Sequence, residues 1–191
     1  MIVLISSSPR RRELLSRISA DVVYDASDIA EPMDETDPEK LVLKSARLKL
    51  KDRLHVHRSG ILLACDTLVY AGRVLGKPRD RDEAFEMLSL LSGRGHEVYS
   101  GLVLHDKNTG KLIEDVVCTK VRFSPLSAQQ INAYLDTGEY TDKAGAYGIQ
   151  GFGSLLIEGI EGDYFNVMGL PLNRLYSILK EEFSVDLLSG K

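Results

Sequence analysis

The sequence predicts an α/β fold built on a mixed sheet, and three observations carry that expectation. The chain opens on a short apolar run, Met1-Ile2-Val3-Leu4-Ile5, followed at once by a helix-start signal. A second apolar run, Ile61-Leu62-Leu63-Ala64-Cys65, has the length and composition of a buried strand. Two longer strand-like stretches, about 96–105 and 111–123, flank a turn. Helices and strands are interleaved, but not in the strict alternation of an all-parallel sheet. With 191 residues, 43% apolar and 27% charged, the chain has an ordinary soluble composition, and a chain of that size buries roughly 70% of its unfolded surface.

After the first strand, Ser8-Pro9 reads as an N-cap followed by proline at the first helical position, and Leu14, Leu15 and Ile18 give that helix an apolar face. Val22-Val23 suggest a short strand, and Asp28 to Pro32 a loop. Thr36-Asp37-Pro38-Glu39 has capping-box spacing with a helix-start proline, and Leu41, Val42, Ala46, Leu50 and Leu54 continue as a helical stripe. The apolar run from Ile61 ends in Asp66-Thr67 and resumes as Leu68-Val69-Tyr70 before a turn at Ala71-Gly72, so a strand end is expected to deliver the Asp66 carboxylate. Asp80 to Glu83 opens a helix carrying Ala84, Met87, Leu88 and Leu91, which Gly93 stops. The two long strands come next, joined into a hairpin by Asp106-Lys107-Asn108-Thr109-Gly110. Ser127 to Gln130 starts a helix through Leu135, Gly145 to Gly153 is glycine-rich, Leu155 to Ile160 suggests a strand and Leu170 to Phe183 a final helix. Neither an internal repeat nor a linker divides the chain, so residues 1–191 are expected to form one domain.

A net charge of −4 disfavours nucleic acid as a partner and leaves any anion site to local cations. Cys65 and Cys118 lie far apart without metal-ligand or Cys-x-x-Cys spacing, which suits a reducing cytoplasm. No stretch approaches the ~20 apolar residues of a membrane span, and the opening run is too short for a signal peptide.

Arg10, Arg11 and Arg12 fall in the first turn of a helix, where the dipole places about half a positive charge and favours acids instead. A phosphate bound by the exposed amides and two guanidinium forks would relieve that repulsion; a solvated basic turn is the bland alternative. Asp66, at the end of an apolar run, needs a partner and is the candidate catalytic or metal-binding carboxylate. An aspartyl nucleophile of the Asp-x-Asp kind is disfavoured because Leu68 stands where the second Asp belongs. Lys77, between Gly76 and Pro78, suits a fixed point charge aimed at phosphate, and Glu31 can help hold a divalent cation. The glycines of Asp142 to Gly151 bring backbone close to something, with spacing unlike a dinucleotide fingerprint. The four histidines lack metal or triad spacing, and Ser6, Ser7 and Ser8 lack an evident base, so nucleophilic catalysis is not assigned.

Seven stretches in order resemble the Maf-like nucleotide pyrophosphatases. They are Ser6 to Leu15, Ala46-Arg47-Leu48-Lys49, Cys65-Asp66-Thr67-Leu68-Val69, Leu75-Gly76-Lys77-Pro78, Leu91-Ser92-Gly93 with His96, Asp142 to Gly151, and Asn166 to Leu172. The resemblance implies an inosine-triphosphatase-like (Maf/Ham1-like) α/β fold, with a twisted mixed sheet, flanking helices and a cleft between two lobes. It implies an intracellular enzyme that splits a nucleoside triphosphate into monophosphate and pyrophosphate with a divalent cation, Mg2+ or Mn2+.

Carried over by position, Asp66 matches the acid that activates water, Glu31 a carboxylate that approaches the metal with Asp66, and Ser6, Arg10, Arg11, Lys49 and Lys77 the residues around the phosphates. Arg12 lies where the family varies and is expected to be solvated. Arg10, Thr67 and Gln150 match the subgroup resembling dTTP and UTP pyrophosphatases; the subgroup acting on 7-methyl-GTP tends to carry Trp, Gln and Glu there. Gln150 offers both donor and acceptor to a uracil or thymine edge, which an ionised Glu does not. Cys65 departs from the Ala common in the family and puts an oxidisable thiol beside Asp66. The expected partner is the nucleotide, with neither nucleic acid nor membrane and with room for a homodimer. Hydrolysis of 7-methyl-GTP or other modified nucleotides is the rival within the class, and a septum-formation regulator or nucleic-acid-binding module the rival outside it.

Overall fold

The structure, a computed structural model, describes residues 1–19, 21–30, 32 and 35–189. The opening run folds as β1 (Ile2–Ile5), buried along its length, and Ser8 caps α1 (Pro9–Ser16), its hydroxyl accepting the Arg11 amide with proline at the helix start. Leu14 and Leu15 are the buried apolar face of α1. After β2 (Val22–Asp25) comes α2 (Pro38–Arg53), whose cap is Asp37 and not Thr36: proline occupies the first helical position, so the Asp37 carboxylate receives the Glu39 and Lys40 amides.

The second apolar run is part of one ten-residue strand, β3 (Ile61–Tyr70). Asp66 therefore lies inside a strand and not at its end, because Leu68, Val69 and Tyr70 carry the strand past it and Val69 and Tyr70 pair with the following residues Leu75 and Val74. A turn on Gly72, at φ 73°, leads to β4 (Val74–Leu75), antiparallel to β3. Asp80 caps α3 (Arg81–Leu91), and β5 (Gly95–Asp106) and β6 (Leu112–Phe123) follow as adjacent strands joined by the expected turn. Ser127 and Gln130 complete a capping box on α4 (Ala128–Leu135). Three short 3₁₀ segments occupy Glu139–Asp142, Ala144–Ala146 and Phe152–Leu156, the last taking Leu155 out of the strand expected there. The strand that forms is β7 (Ile157–Glu161), and α5 (Tyr164–Met168) and α6 (Leu172–Phe183) close the chain.

Among the described residues, seven strands form one mixed sheet, in the order β2-β1-β3-β5-β6-β7 with β4 on β3. β1 runs parallel to both β2 and β3, and β6 pairs antiparallel with β7. The chain divides into two compact units. One comprises Met1–Asp66, Ser100–Val117 and Gly169–Lys191; the other comprises Thr67–Tyr99 and Cys118–Met168. The first has a core of Val3, Ile5, Ala46, Leu50, Leu62, Ala64 and Val103; the second packs β3, α3, α4 and β6 around Val69, Leu88, Leu91, Phe123 and Leu135.

Candidate active site

In the first unit, Asp66 is buried and its Oδ1 lies 2.5 Å from Nζ of Lys49, itself buried. Each charge answers the desolvation of the other. Lys49 rides on α2, and two features seat that helix. Gly101 of β5 lets it approach so closely that a Cβ there would lie 2.7 Å from the Val42 carbonyl carbon. Arg47 donates through Nε and Nη2 to the two oxygens of Glu114 on β6, at 2.6 and 2.5 Å, and this bond is the main cause holding the Glu114 carboxyl below its ordinary range. The Arg47 and Lys49 of one sequence motif thus divide the work: one clamps the helix, the other meets Asp66.

The arginine cluster separates into individual roles. Arg11 is buried, donating from Nε to the Gly169 carbonyl at 2.7 Å and from Nη1 to Ser6 Oγ at 3.4 Å. Ser6 Oγ also accepts the Ser8 amide, at 3.2 Å. The thiol of Cys65 donates to the same Gly169 carbonyl at 3.4 Å, so this oxygen ties the first turn of α1 to the strand position before Asp66. Arg10 is half-buried on the first turn. Arg12 is not the solvated residue expected: it donates to the Ser6 carbonyl at 3.0 Å and stacks over the Tyr24 ring, 5.8 Å from its centre. Carbonyl oxygens thereby accept from two of the three arginines at the helix start.

In the second unit, Thr67 follows Asp66 along β3 and is half-buried, while Lys77 is exposed between Gly76 and the buried Pro78. The Gly76 carbonyl accepts the Gly145 amide at 3.0 Å, so the Lys77 loop is tied to the glycine-rich segment. Gly145, at φ 68°, packs on Val69, and Ala146 takes the left-handed φ of 62° that costs a residue with a Cβ about 1 kcal/mol or more. Further on, Glu139 accepts the Phe152 amide at 2.8 Å and the Gly153 amide at 3.1 Å. Tyr134 donates to the same carboxylate at 3.3 Å and accepts the Gly148 amide at 3.3 Å. The close approach implied by the glycines is to this carboxylate, since a Cβ on Gly151 would lie 2.1 Å from Glu139 Oε2. Gln150 is exposed on the loop so held.

His96 is buried against Phe123 and Tyr147, with ring centres 5.1 and 5.4 Å away and its Nε2 2.8 Å from the Tyr147 hydroxyl. Burial pushes its pKa down to about 4, which marks a neutral packing residue.

The first unit therefore pairs Lys49 with Asp66 and Arg11 with Ser6, with Arg10 on the first turn of α1, and the second carries Thr67, Lys77 and Gln150. Glu31 lies outside the described residues. Sequence reasoning missed the Gly169 carbonyl, because a backbone oxygen leaves no residue signature. It also missed Glu139, whose only signal is a single acid shortly before a glycine-rich run.

A family model described as "Maf-like protein" matches residues 1–182. A dTTP/UTP pyrophosphatase of Clostridium acetobutylicum is 47% identical over 190 residues, covering 93% of this chain and 96% of the relative. One from Caldanaerobacter subterraneus subsp. tengcongensis is 48% identical over 186 residues, covering 96% and 90%. Among solved structures, a nucleoside-triphosphatase (dITP/XTP pyrophosphatase) of Mycobacterium abscessus has a TM-score of 0.42 at 18% identity, over 65% of this chain and 75% of that one.

Proposed function

The chain belongs to the Maf-like family, and from that premise we propose that it hydrolyses dTTP and UTP to the nucleoside monophosphate and pyrophosphate, a house-cleaning role on the cytoplasmic nucleotide pool. Support for the substrate comes from the relatives at 47 and 48% identity, which are dTTP/UTP pyrophosphatases. The observation that carries the chemistry is the buried Asp66–Lys49 pair, at 2.5 Å, in the same unit as the Ser6–Arg11 helix start.

Water attacks the α-phosphorus, the bond from that phosphorus to the bridging oxygen breaks, and pyrophosphate leaves. Asp66 takes the water's proton, and the Lys49 ammonium, 2.5 Å away, holds its carboxylate in place before that transfer. Arg10, Arg11 and Lys77 neutralise phosphate charge that grows on the leaving group, and Arg11, fixed by Gly169, does so without reorganising. Thr67 and Gln150 read the base, Gln150 through its paired donor and acceptor. A substrate of this size and charge is recognised without nucleic acid, and among the described residues no helix is long and apolar enough to cross a membrane.

A divalent cation, Mg2+ or Mn2+, is part of the proposal, and Asp66 is the described residue that suits it. Asp66 is a hard oxygen donor, and Glu31, outside the described residues, would supply the second carboxylate. Magnesium is commonly held in this way, by one or two carboxylates together with substrate phosphates. When bound, the cation supplies charge neutralisation on the triphosphate.

The test is a product-resolved assay over a nucleotide panel with added Mg2+ or Mn2+. dTTP and UTP should release pyrophosphate, and Asp66→Asn should lower kcat by about 10³-fold or more while circular dichroism stays unchanged. Orthophosphate as the sole inorganic product, preference for 7-methyl-GTP, or substantial activity in Asp66→Asn would overturn it.

A further inference from the structure

Gln150, the residue read as contacting the base, is exposed, and among the described residues no hydrogen bond fixes its side chain. Its position therefore depends on the backbone to either side. Two residues before it, the Gly148 amide is held by the Tyr134 hydroxyl; two and three residues after it, the Phe152 and Gly153 amides are held by the two oxygens of Glu139. Burial raises the Tyr134 pKa, and the charge on Glu139 raises it further, so its hydroxyl stays protonated and donates to that carboxylate.

The sequence on both sides is shaped to the carboxylate. Gly151 leaves the room that Oε2 fills. Gly148 leaves room for both Lys143 and Glu139, since a Cβ there would lie 2.5 Å from Lys143 Cε and 3.2 Å from Glu139 Oε1. Lys143 in turn donates to the Glu139 carbonyl at 2.7 Å, bracing the backbone that presents the acid. An ionised carboxylate accepts at both oxygens, whereas a glutamine would set its own NH2 against one of two amide donors.

We propose that Glu139 is a positioning residue for base selection: its carboxylate fixes the loop that carries Gln150, and so sets discrimination between uracil or thymine and other bases. This rests on the reading of Gln150 given above. Glu139 touches no reacting atom, and its effect belongs in substrate selection.

The experiment compares kcat/KM for UTP, dTTP, CTP and GTP in the wild type, Glu139→Gln, Glu139→Ala and Gly151→Ala, with thermal melts of each. Gly151→Ala leaves Glu139 in the chain but puts a methyl where its carboxylate sits, and it serves with Glu139→Gln if Glu139→Ala fails to fold. UTP preference over CTP and GTP should fall about tenfold or more, through a raised KM for UTP and with kcat within about twofold. Hydrogen exchange at the Phe152 and Gly153 amides should accelerate in the same variants. A folded Glu139→Gln that keeps wild-type preference, or a proportional loss on every substrate, overturns the proposal. A wild type that does not prefer UTP or dTTP overturns the substrate reading instead; the preference ratio is then measured on whichever triphosphate it favours, and the Glu139 effect is decided there.

Discussion

Lys49 and Asp66 are both almost wholly withdrawn from water, and neither would be tolerated there alone. Removing one member of such a pair leaves a buried charge uncompensated and costs about 3–5 kcal/mol, whereas removing both leaves no charge to strand. Lys49→Met and Asp66→Asn should therefore each lower the urea midpoint, while the double variant should lie well above the sum, with a coupling of at least about 1 kcal/mol. Additive losses would mean that the 2.5 Å contact is not an energetic unit. The same residues show how far sequence reaches at this scale. Asp66 was legible because an acid inside an apolar run must be answered, but the identity of the answering group was not, since Lys49 is 17 positions away on another element. Arg12 was misread for a related reason: a carbonyl and an aromatic face, its actual partners, carry no pattern in sequence.

At the scale of elements, local chemistry decided what could be read. Helix starts were legible because capping is local, down to the Ser127–Gln130 box; the first residue of α2 shifted by one because proline outranked the Thr36 spacing. Leu155 was assigned to a strand from its apolar neighbours, yet the segment is held by Glu139, a contact spanning 13 and 14 residues that periodicity does not register. The strand start carrying His96 makes its own prediction. Its folded pKa, about 4, lies below the unfolded value near 6.5, so the unfolded chain binds the extra proton between those values. Stability is then complete above about pH 6.5 and falls by about 3 kcal/mol as pH drops to about 4. Urea midpoints across that range should slope downward with acid, and His96→Gln should flatten the slope. The lowered carboxyls of Asp25 and Glu114 act in a lower window, because their stabilisation is lost only as pH falls through folded values below the ordinary carboxylate range. An unchanged slope in His96→Gln would mean that His96 does not set the acid limb across that range.

For the molecule as a whole, the mixed α/β class and the apolar strands followed from pattern, while the division into two units did not. Three of the four boundaries fall inside β3, β5 and β6, at Asp66/Thr67, Tyr99/Ser100 and Val117/Cys118, where no proline or polar linker marks them; the fourth, Met168/Gly169, follows α5 and falls on a glycine. That placement has a thermodynamic consequence. Each unit has its own core, but the backbone of β3, β5 and β6 is continuous across both, so unfolding of either unit alone would have to stop inside a strand. We propose that the 191 residues unfold as one cooperative domain. Leu62 and Leu88 are fully buried, one in each core. Leu62→Ala and Leu88→Ala should each remove about 2–5 kcal/mol and shift the same single urea transition, seen identically by far-ultraviolet circular dichroism and tyrosine fluorescence. If each variant moves only one of two separable transitions, the units unfold independently and the continuous strands do not couple them.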